Sequence, residues 1–510
     1  MKLLSMIMFT GFILCIPFSE VYPITGSGNS APIIQKSNHS PDQYHLEFSE
    51  VNPEIVKIEA QLTLQDSLLK MSNHGPMPHR WPQYVHDLVA YGKNGKQLEL
   101  VKRDSTAWKV HDMYKGQEVL IRYYVLIEHE KQNWPGGIDG VAFVRDWGIT
   151  ATGRSLFIIN GDKADIKVRF KKPEHWKIST PWKSVNHENT EYVVTNQSHL
   201  LESFITVGTQ QESNITREDF SLNFVLGGEN IAKNKEHYVN AANKIVDYYI
   251  NLMGGLPKHS SWNEPSQVLI IMNESKTMDG EVIGDNISLF MNPDANPQEQ
   301  VISWFLFAHE FFHLWNGKTI RFDDTHSDWF KEGVTNYYTL KALYNAKLVD
   351  EEAIKMVMNQ LFYARYVNDT GLGKMAPSDA ASGFDKDNHW GLVYGGGFFA
   401  GICMDMEIRH NTENTQSLDD LMRFLYTKTG VTAKLTNNQD ILNQVNLLGH
   451  TDFTQFFEAY INGLEEIQLN NYLAFAGIEV KTDNKQLQLI HTLRKTDLQQ
   501  KLWYGFLGLN

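Results

Sequence analysis

From about residue 44 to residue 207, apolar and polar positions alternate in short runs. Val56-Lys57-Ile58-Glu59-Ala60-Gln61-Leu62 and Glu118-Val119-Leu120-Ile121-Arg122-Tyr123-Tyr124-Val125 place alternate side chains on one face, the period of a strand. Ser155-Leu156-Phe157-Ile158-Ile159 and Asp165-Ile166-Lys167-Val168-Arg169-Phe170 read as strands as well. Turn clusters such as Lys93-Asn94-Gly95 and Asn160-Gly161-Asp162 separate the runs. Short strands at this spacing predict a β-sandwich or a saddle-like sheet.

Beyond about His237 the period lengthens to that of helices. Residues 238–252 carry apolar positions at helical spacing and stop at Gly254-Gly255. Residues 268–272 read as a short buried strand. Helices are then predicted over residues 299–315, 329–348, 351–366 and 398–409. Ser417-Leu418-Asp419-Asp420 resembles a capping box that opens a helix reaching Tyr426, and residues 452–463 form another amphipathic helix. From Asn470 the pattern returns to short strand-like pieces. The chain carries no internal repeat, and the class expected is α+β.

The N-terminus bears an address. Lys2 precedes an apolar run over residues 3–18, interrupted by Ser5, Thr10, Gly11 and Pro17. That run is short for a bilayer span and lacks a following charge cluster, so residues 1–23 are expected to be a secretory signal peptide, with an uncleaved anchor as the alternative. Leu14 is bulky where a lipid-attachment signal needs a small residue before Cys15. Only Cys15 and Cys403 exist, so the mature chain is expected to have no intrachain disulfide, which suits a bacterial periplasm or secretion without a disulfide scaffold.

Composition narrows the function. The 510 residues are 42% hydrophobic and 21% charged, as in a folded protein large enough for two or three domains. A net charge of −14, with no basic run, argues against a nucleic-acid partner.

The chemistry concentrates in His309-Glu310-Phe311-Phe312-His313. Histidines four apart on a helix share a face and can reach one ion, with Glu310 beside them. Such a string also arises by chance in a few per cent of chains this long. After eighteen intervening residues comes Glu332, in Trp329-Phe330-Lys331-Glu332-Gly333-Val334-Thr335-Asn336-Tyr337-Tyr338. Two histidines and one carboxylate leave an open position on tetrahedral Zn2+, as catalysis requires, whereas a structural site is closed by four protein ligands, and Cys403 is the sole cysteine available for one. The expectation is one catalytic zinc per chain, held by His309, His313 and Glu332. Glu310 is the general base, and Asn336, one turn past Glu332, is a candidate for orienting a ligand.

HExxH with a downstream Glu-Gly-x-Thr-x-Tyr-Tyr resembles the gluzincin metallopeptidases, and among them the glycyl aminopeptidase family. The resemblance continues through Tyr394-Gly395-Gly396-Gly397-Phe398-Phe399, Met404-Asp405-Met406-Glu407-Ile408-Arg409 and Ser417-Leu418-Asp419-Asp420-Leu421-Met422. Upstream, Trp81-Pro82-Gln83-Tyr84 is similar to a worn form of that family's Trp-x-Pro-Gly-x-Tyr element. The resemblance implies a β-rich N-terminal domain (24–215), a thermolysin-like zinc catalytic domain (216–400) and a mainly helical C-terminal part (401–510). It implies removal of N-terminal glycine or alanine from peptide substrates. By position, Tyr394 matches the tyrosine that stabilises the oxyanion, the reading favoured over an aromatic merely packed on a glycine-rich turn.

Two departures stand out. Where the family carries Gly-Gly-Met-Glu-His, with its Glu on the free α-amine, this chain has Met278-Asp279-Gly280-Glu281-Val282-Ile283-Gly284. Glu281, beside Gly280, is therefore the candidate amine anchor, against a solvated loop carboxylate. The family also usually adds a C-terminal PDZ domain, and the sequence stops about where one would begin, which leaves both a natural variant and a truncation open. The rivals to an exported aminopeptidase are a zinc endopeptidase and a zinc- and peptide-binding protein with little turnover.

Overall fold

The computed structural model describes residues 41–73, 81–129, 142–258, 266–276, 278–284, 286–382, 385–432 and 435–509. The expected signal peptide and Cys15 lie outside them. Two compact units are formed, one by residues through Lys235 with Asn263–Pro293, the other by Glu236–Trp262 with Asp294–Asn510.

The first unit is built on β-sheets, as the alternation predicts. Its largest sheet runs Lys183–Ser184, Glu191–Asn196, Ala164–Lys171, Gln43–Glu47, Ile55–Thr63, Glu118–Leu126, Val85–Gly92 and Gln97–Leu98. Only Gln43–Glu47 and Ala164–Lys171 pair in parallel. Ile58 pairs with Tyr123 and Ala60 with Ile121. Val56, Ile58, Ala60 and Leu62 enter the core, while Lys57 and Gln61 stay exposed. A second sheet, of Lys177–Ser179, Phe204–Gly208, Gly148–Thr152 and Phe143–Arg145, contributes Ile149, Ala151, Ile178, Ile205 and Val207 to the same core. A third sheet has five strands in the order Gln211–Arg217, Phe220–Gly227, Ser266–Glu274, Asn286–Met291, Asp279–Ile283. The expected strand at 268–272 is in its middle, parallel to both neighbours, and buried throughout, so it shows a continuous apolar run.

The second unit is mainly helical, with one hairpin near its end, Ile478–Asp483 with Gln486–His491. Together the units make the α+β fold expected. Two local expectations fail. Residues 155–159 are not a strand: Gly153–Leu156 winds as a helical turn, and Ile159 makes a single bridge to Lys70. Leu156, Phe157 and Ile158 are fully buried, and such a run has no period that distinguishes strand from helix. The chain end is also not all strand-like. Asp497–Phe506 is a helix whose Thr496 and Gln499 form a capping box, a signal present in the sequence as Thr-x-x-Gln.

Candidate metal centre

The helix Pro297–Phe312 starts where local chemistry dictates. Asn296 accepts from the backbone of Gln298 and Glu299, Glu299 returns a bond to Asn296, and Pro297 occupies the first turn. Its last ten residues are buried, so His309 and Glu310 reach the interior of the unit, and His313 follows at the helix cap.

Glu332 comes from a π-helical turn, Trp329–Val334. Its Oε2 lies 3.2 Å from His313 Nε2 and 3.6 Å from His309 Nε2, and the two nitrogens are 3.0 Å apart. Ligands on tetrahedral zinc at ~2.0–2.2 Å are about 3.3 Å from one another, so the triangle has the size of a zinc site. Its chemistry agrees. His313 Nδ1 lies 2.9 Å from the Asn316 carbonyl, which can only accept, so Nδ1 carries the proton and Nε2 offers a lone pair. Burial pushes the pKa of His309 down to about 4, keeping it neutral near pH 7. Burial opposes the charge on Glu332, but the positive charge beside it, Lys331 included, outweighs burial and holds the carboxyl well below its usual range. Three acceptor atoms thus converge where a cation fits.

Several neighbours set this geometry. The Asn316 side chain donates to the Lys331 carbonyl and to Thr335 Oγ1, both at 3.1 Å, so one residue fixes His313 and braces the turn that carries Glu332. Asn336 sits beside the His309 ring and favours its charged form, though outside strict hydrogen-bond geometry. Its Nδ2 donates to the Tyr394 carbonyl at 3.3 Å. Sequence reasoning missed a further group. Lys331 and Lys386 both pair with Asp328, at 2.7 and 3.0 Å, and face Glu332 Oε1 at 3.5 and 3.8 Å. Asp328 and Lys331 were in view beside Glu332, but nothing in the sequence points to Lys386.

Tyr394 lies on a second π-helical turn, Gly391–Gly396, with its ring buried and stacked on Trp390 at 5.0 Å and 3°. The glycines explain why the two turns meet. A Cβ at Gly333 would fall 2.3 Å from the Gly397 carbonyl carbon, and one at Gly397 would fall 2.0 Å from the Trp329 oxygen. Backbone therefore packs on backbone, and the Tyr394 segment is locked to the Glu332 segment.

Gly280 and Glu281 belong to the first unit, on the edge strand Asp279–Ile283, where Glu281 pairs with Ser288. The position is a strand and not a loop, and the Glu281 side chain is outside the described set.

Residues 43–209 match the Peptidase M61 N-terminal domain and residues 303–395 match the M61 glycyl aminopeptidase, together just over half of the chain. The chain belongs to the M61 glycyl aminopeptidase family. The M61 assignment makes it a zinc metallopeptidase of the aminopeptidase kind. Solved structures show the same fold. An aminopeptidase N family protein from Idiomarina loihiensis is 16% identical with a TM-score of 0.73, covering 86% of this chain and 79% of that one. The M1 zinc metallopeptidase of Deinococcus radiodurans is 12% identical with a TM-score of 0.50, covering 84% of this chain and 94% of its own. A search of curated protein sequences gave no match.

Proposed function

We propose that this M61 member is an exported aminopeptidase that removes N-terminal residues, preferably glycine or alanine, from peptides, with one zinc per chain. The observation that carries the reading is the convergence of three buried acceptor atoms from His309, His313 and Glu332. Such a set leaves a fourth position for water. A zinc held by these three residues would activate a water and polarise the scissile carbonyl. Glu310, buried next to His309, takes the proton of the attacking water and later delivers it to the leaving amine. The Tyr394 phenol donates to the oxyanion. Asn316, and the glycine contact between the two turns, hold these groups in place without rearrangement.

Recognition of the free amine is assigned to Glu281, beside Gly280 on the edge strand, because a carboxylate reads an ammonium by charge-assisted hydrogen bonds. A structure of the Deinococcus enzyme holds a Tyr-Ser-Ala substrate, which supports short peptides as substrates here. Export rests on residues 1–23, and the bacterial periplasm or secretion is the proposed destination. No helix among the described residues is long and apolar enough to cross a membrane. N-terminal sequencing of the protein recovered from outside the cytoplasm tests the leader.

The function is tested by assaying one peptide in free-amine and N-acetylated forms, with and without chelator. The expected result is cleavage of the free form alone, abolished by chelation. Similar rates on both forms, with a silent Glu281→Gln, would make the enzyme an endopeptidase.

A further inference from the structure

The second unit buries several cations, and nearly all have carboxylates. Lys341 and Arg409 meet Asp405 and Asp419, and Lys331 and Lys386 meet Asp328. Arg365 differs. It is half-buried in the helical segment Ala364–Tyr366, and no described carboxylate pairs with it. Asp369, four residues on and the natural helical partner, is committed elsewhere: it faces His389 Nδ1 at 2.8 Å and accepts from the Leu392 amide at 3.1 Å.

The place of Arg365 is specific. Its guanidinium lies 4.6 Å from the centre of the Trp390 ring, and Trp390 in turn stacks on Tyr394 at 5.0 Å. A Cβ on Gly391 would sit 2.3 Å from the Arg365 carbonyl oxygen, so the Arg365 backbone is pressed onto the turn that presents Tyr394. Stacking on an indole occupies the face of a guanidinium and leaves the N–H edges free for a planar, bidentate acceptor. Burial lowers the pKa of this arginine from its usual value, the sign of a cation short of solvent and counter-charge.

We propose that Arg365 binds the C-terminal carboxylate of short peptide substrates, making the enzyme selective for oligopeptides that end within reach of the active site. The proposal rests on Tyr394 marking the reacting carbonyl. An extended peptide advances ~3.3–3.6 Å per residue. The two stacking steps from Tyr394 to the guanidinium, 5.0 and 4.6 Å, therefore suit a carboxylate one to three residues beyond the scissile bond. Di- to tetrapeptides satisfy that limit, and longer chains carry their carboxylate past the arginine.

The test compares kcat/KM of the zinc-loaded enzyme on Ala-Gly-Gly with that on its C-terminal amide. The wild type is expected to prefer the free acid by about ten- to a hundredfold, the usual worth of a charge-assisted bidentate contact. Arg365→Gln should bring that ratio close to one by slowing the acid alone, and Arg365→Lys should keep part of it. Tyr394→Phe should slow both substrates alike and leave the ratio intact, so a silent Tyr394→Phe would overturn the oxyanion assignment from which the distance is counted, while the acid-to-amide ratio reads the carboxylate contact itself. A wild type indifferent to amidation, or an Arg365→Gln that slows both substrates equally, overturns the carboxylate site.

Discussion

Residues 329–345 carry buried charge at both ends, and the two clusters are built on opposite logic. Toward one end Glu332 meets His309 and His313. Toward the other, Tyr337, Tyr338 and Lys341 meet Asp405, Arg409 and Asp419. In the second cluster donors answer acceptors. Tyr337 Oη and Arg409 Nε donate to Asp405 Oδ2 at 2.6 and 3.0 Å, and the Leu418 amide donates to Asp405 Oδ1 at 2.8 Å. Lys341 Nζ and Tyr338 Oη donate to Asp419 Oδ1 at 2.9 and 3.0 Å. Two cations balance two carboxylates. In the first cluster three acceptors point at one another. Burial and charge alone therefore do not mark a functional site. What marks it is a surplus of lone-pair acceptors that a cation corrects.

The largest effects should come from breaking the unbalanced cluster. His309→Ala and His313→Ala should each lose most of the zinc and with it detectable turnover, read by metal analysis of purified protein. Glu310→Gln should instead keep about one zinc and lose roughly 10²- to 10⁴-fold in kcat, the range for a general base. Near-normal rates in Glu310→Gln would remove it from the mechanism.

The balanced cluster should answer differently. Asp405→Ala leaves Arg409 and Lys341 short of a buried partner, and truncating one side of a buried ion pair costs about 3–5 kcal/mol. The expected outcome is a lower Tm, with zinc content and kcat preserved below the transition. A variant with unchanged Tm but lost zinc would collapse the distinction between the clusters.

Tyr394→Phe removes one hydroxyl from the active-site side of the comparison. Loss of one oxyanion donor lowers kcat by about 10²–10³-fold with little change in KM. Folding and zinc content should stay as in the wild type. An unchanged kcat would return the ring to a packing role against Trp390.

Much of this was legible because the signals are local. The spacing of His309 and His313 states that both face one ion, and the alternation in residues 56–62 states which side chains enter the core. Residues 155–159 were misread because a wholly buried run has no period. The final helix was overlooked although its capping box is local. The Lys386–Asp328 pair could not have been read, since the partners are 58 residues apart and a lone lysine in a sequence is ordinarily a solvated one. The glycines of the two turns were visible as a motif. Their reason, a backbone contact between Gly333 and Gly397, exists only in three dimensions.

Lys386 supplies the smallest effect and the sharpest version of the comparison, because it is a balanced ion pair placed against the unbalanced site. It neutralises Asp328 at 3.0 Å, as a structural pair would, and it also faces Glu332 Oε1 at 3.8 Å. Lysines on that oxygen leave Oε2 turned toward the two histidines, which holds Glu332 in one orientation. Lys386→Met keeps the length and apolar stem of the side chain and removes the charge, while Lys331 still pairs with Asp328 at 2.7 Å. The fold should therefore persist with a small fall in Tm. If the lysine orients the ligand, zinc affinity should weaken by about 10–100-fold, the usual cost of losing an outer partner of a metal ligand. Competition against a chelator of known affinity reads this without any assay of turnover, and Lys386→Arg should restore part of the loss. Unaltered zinc affinity in Lys386→Met, with a fall in Tm alone, would place the lysine with the complete cluster and leave Glu332 oriented by the backbone of its own turn.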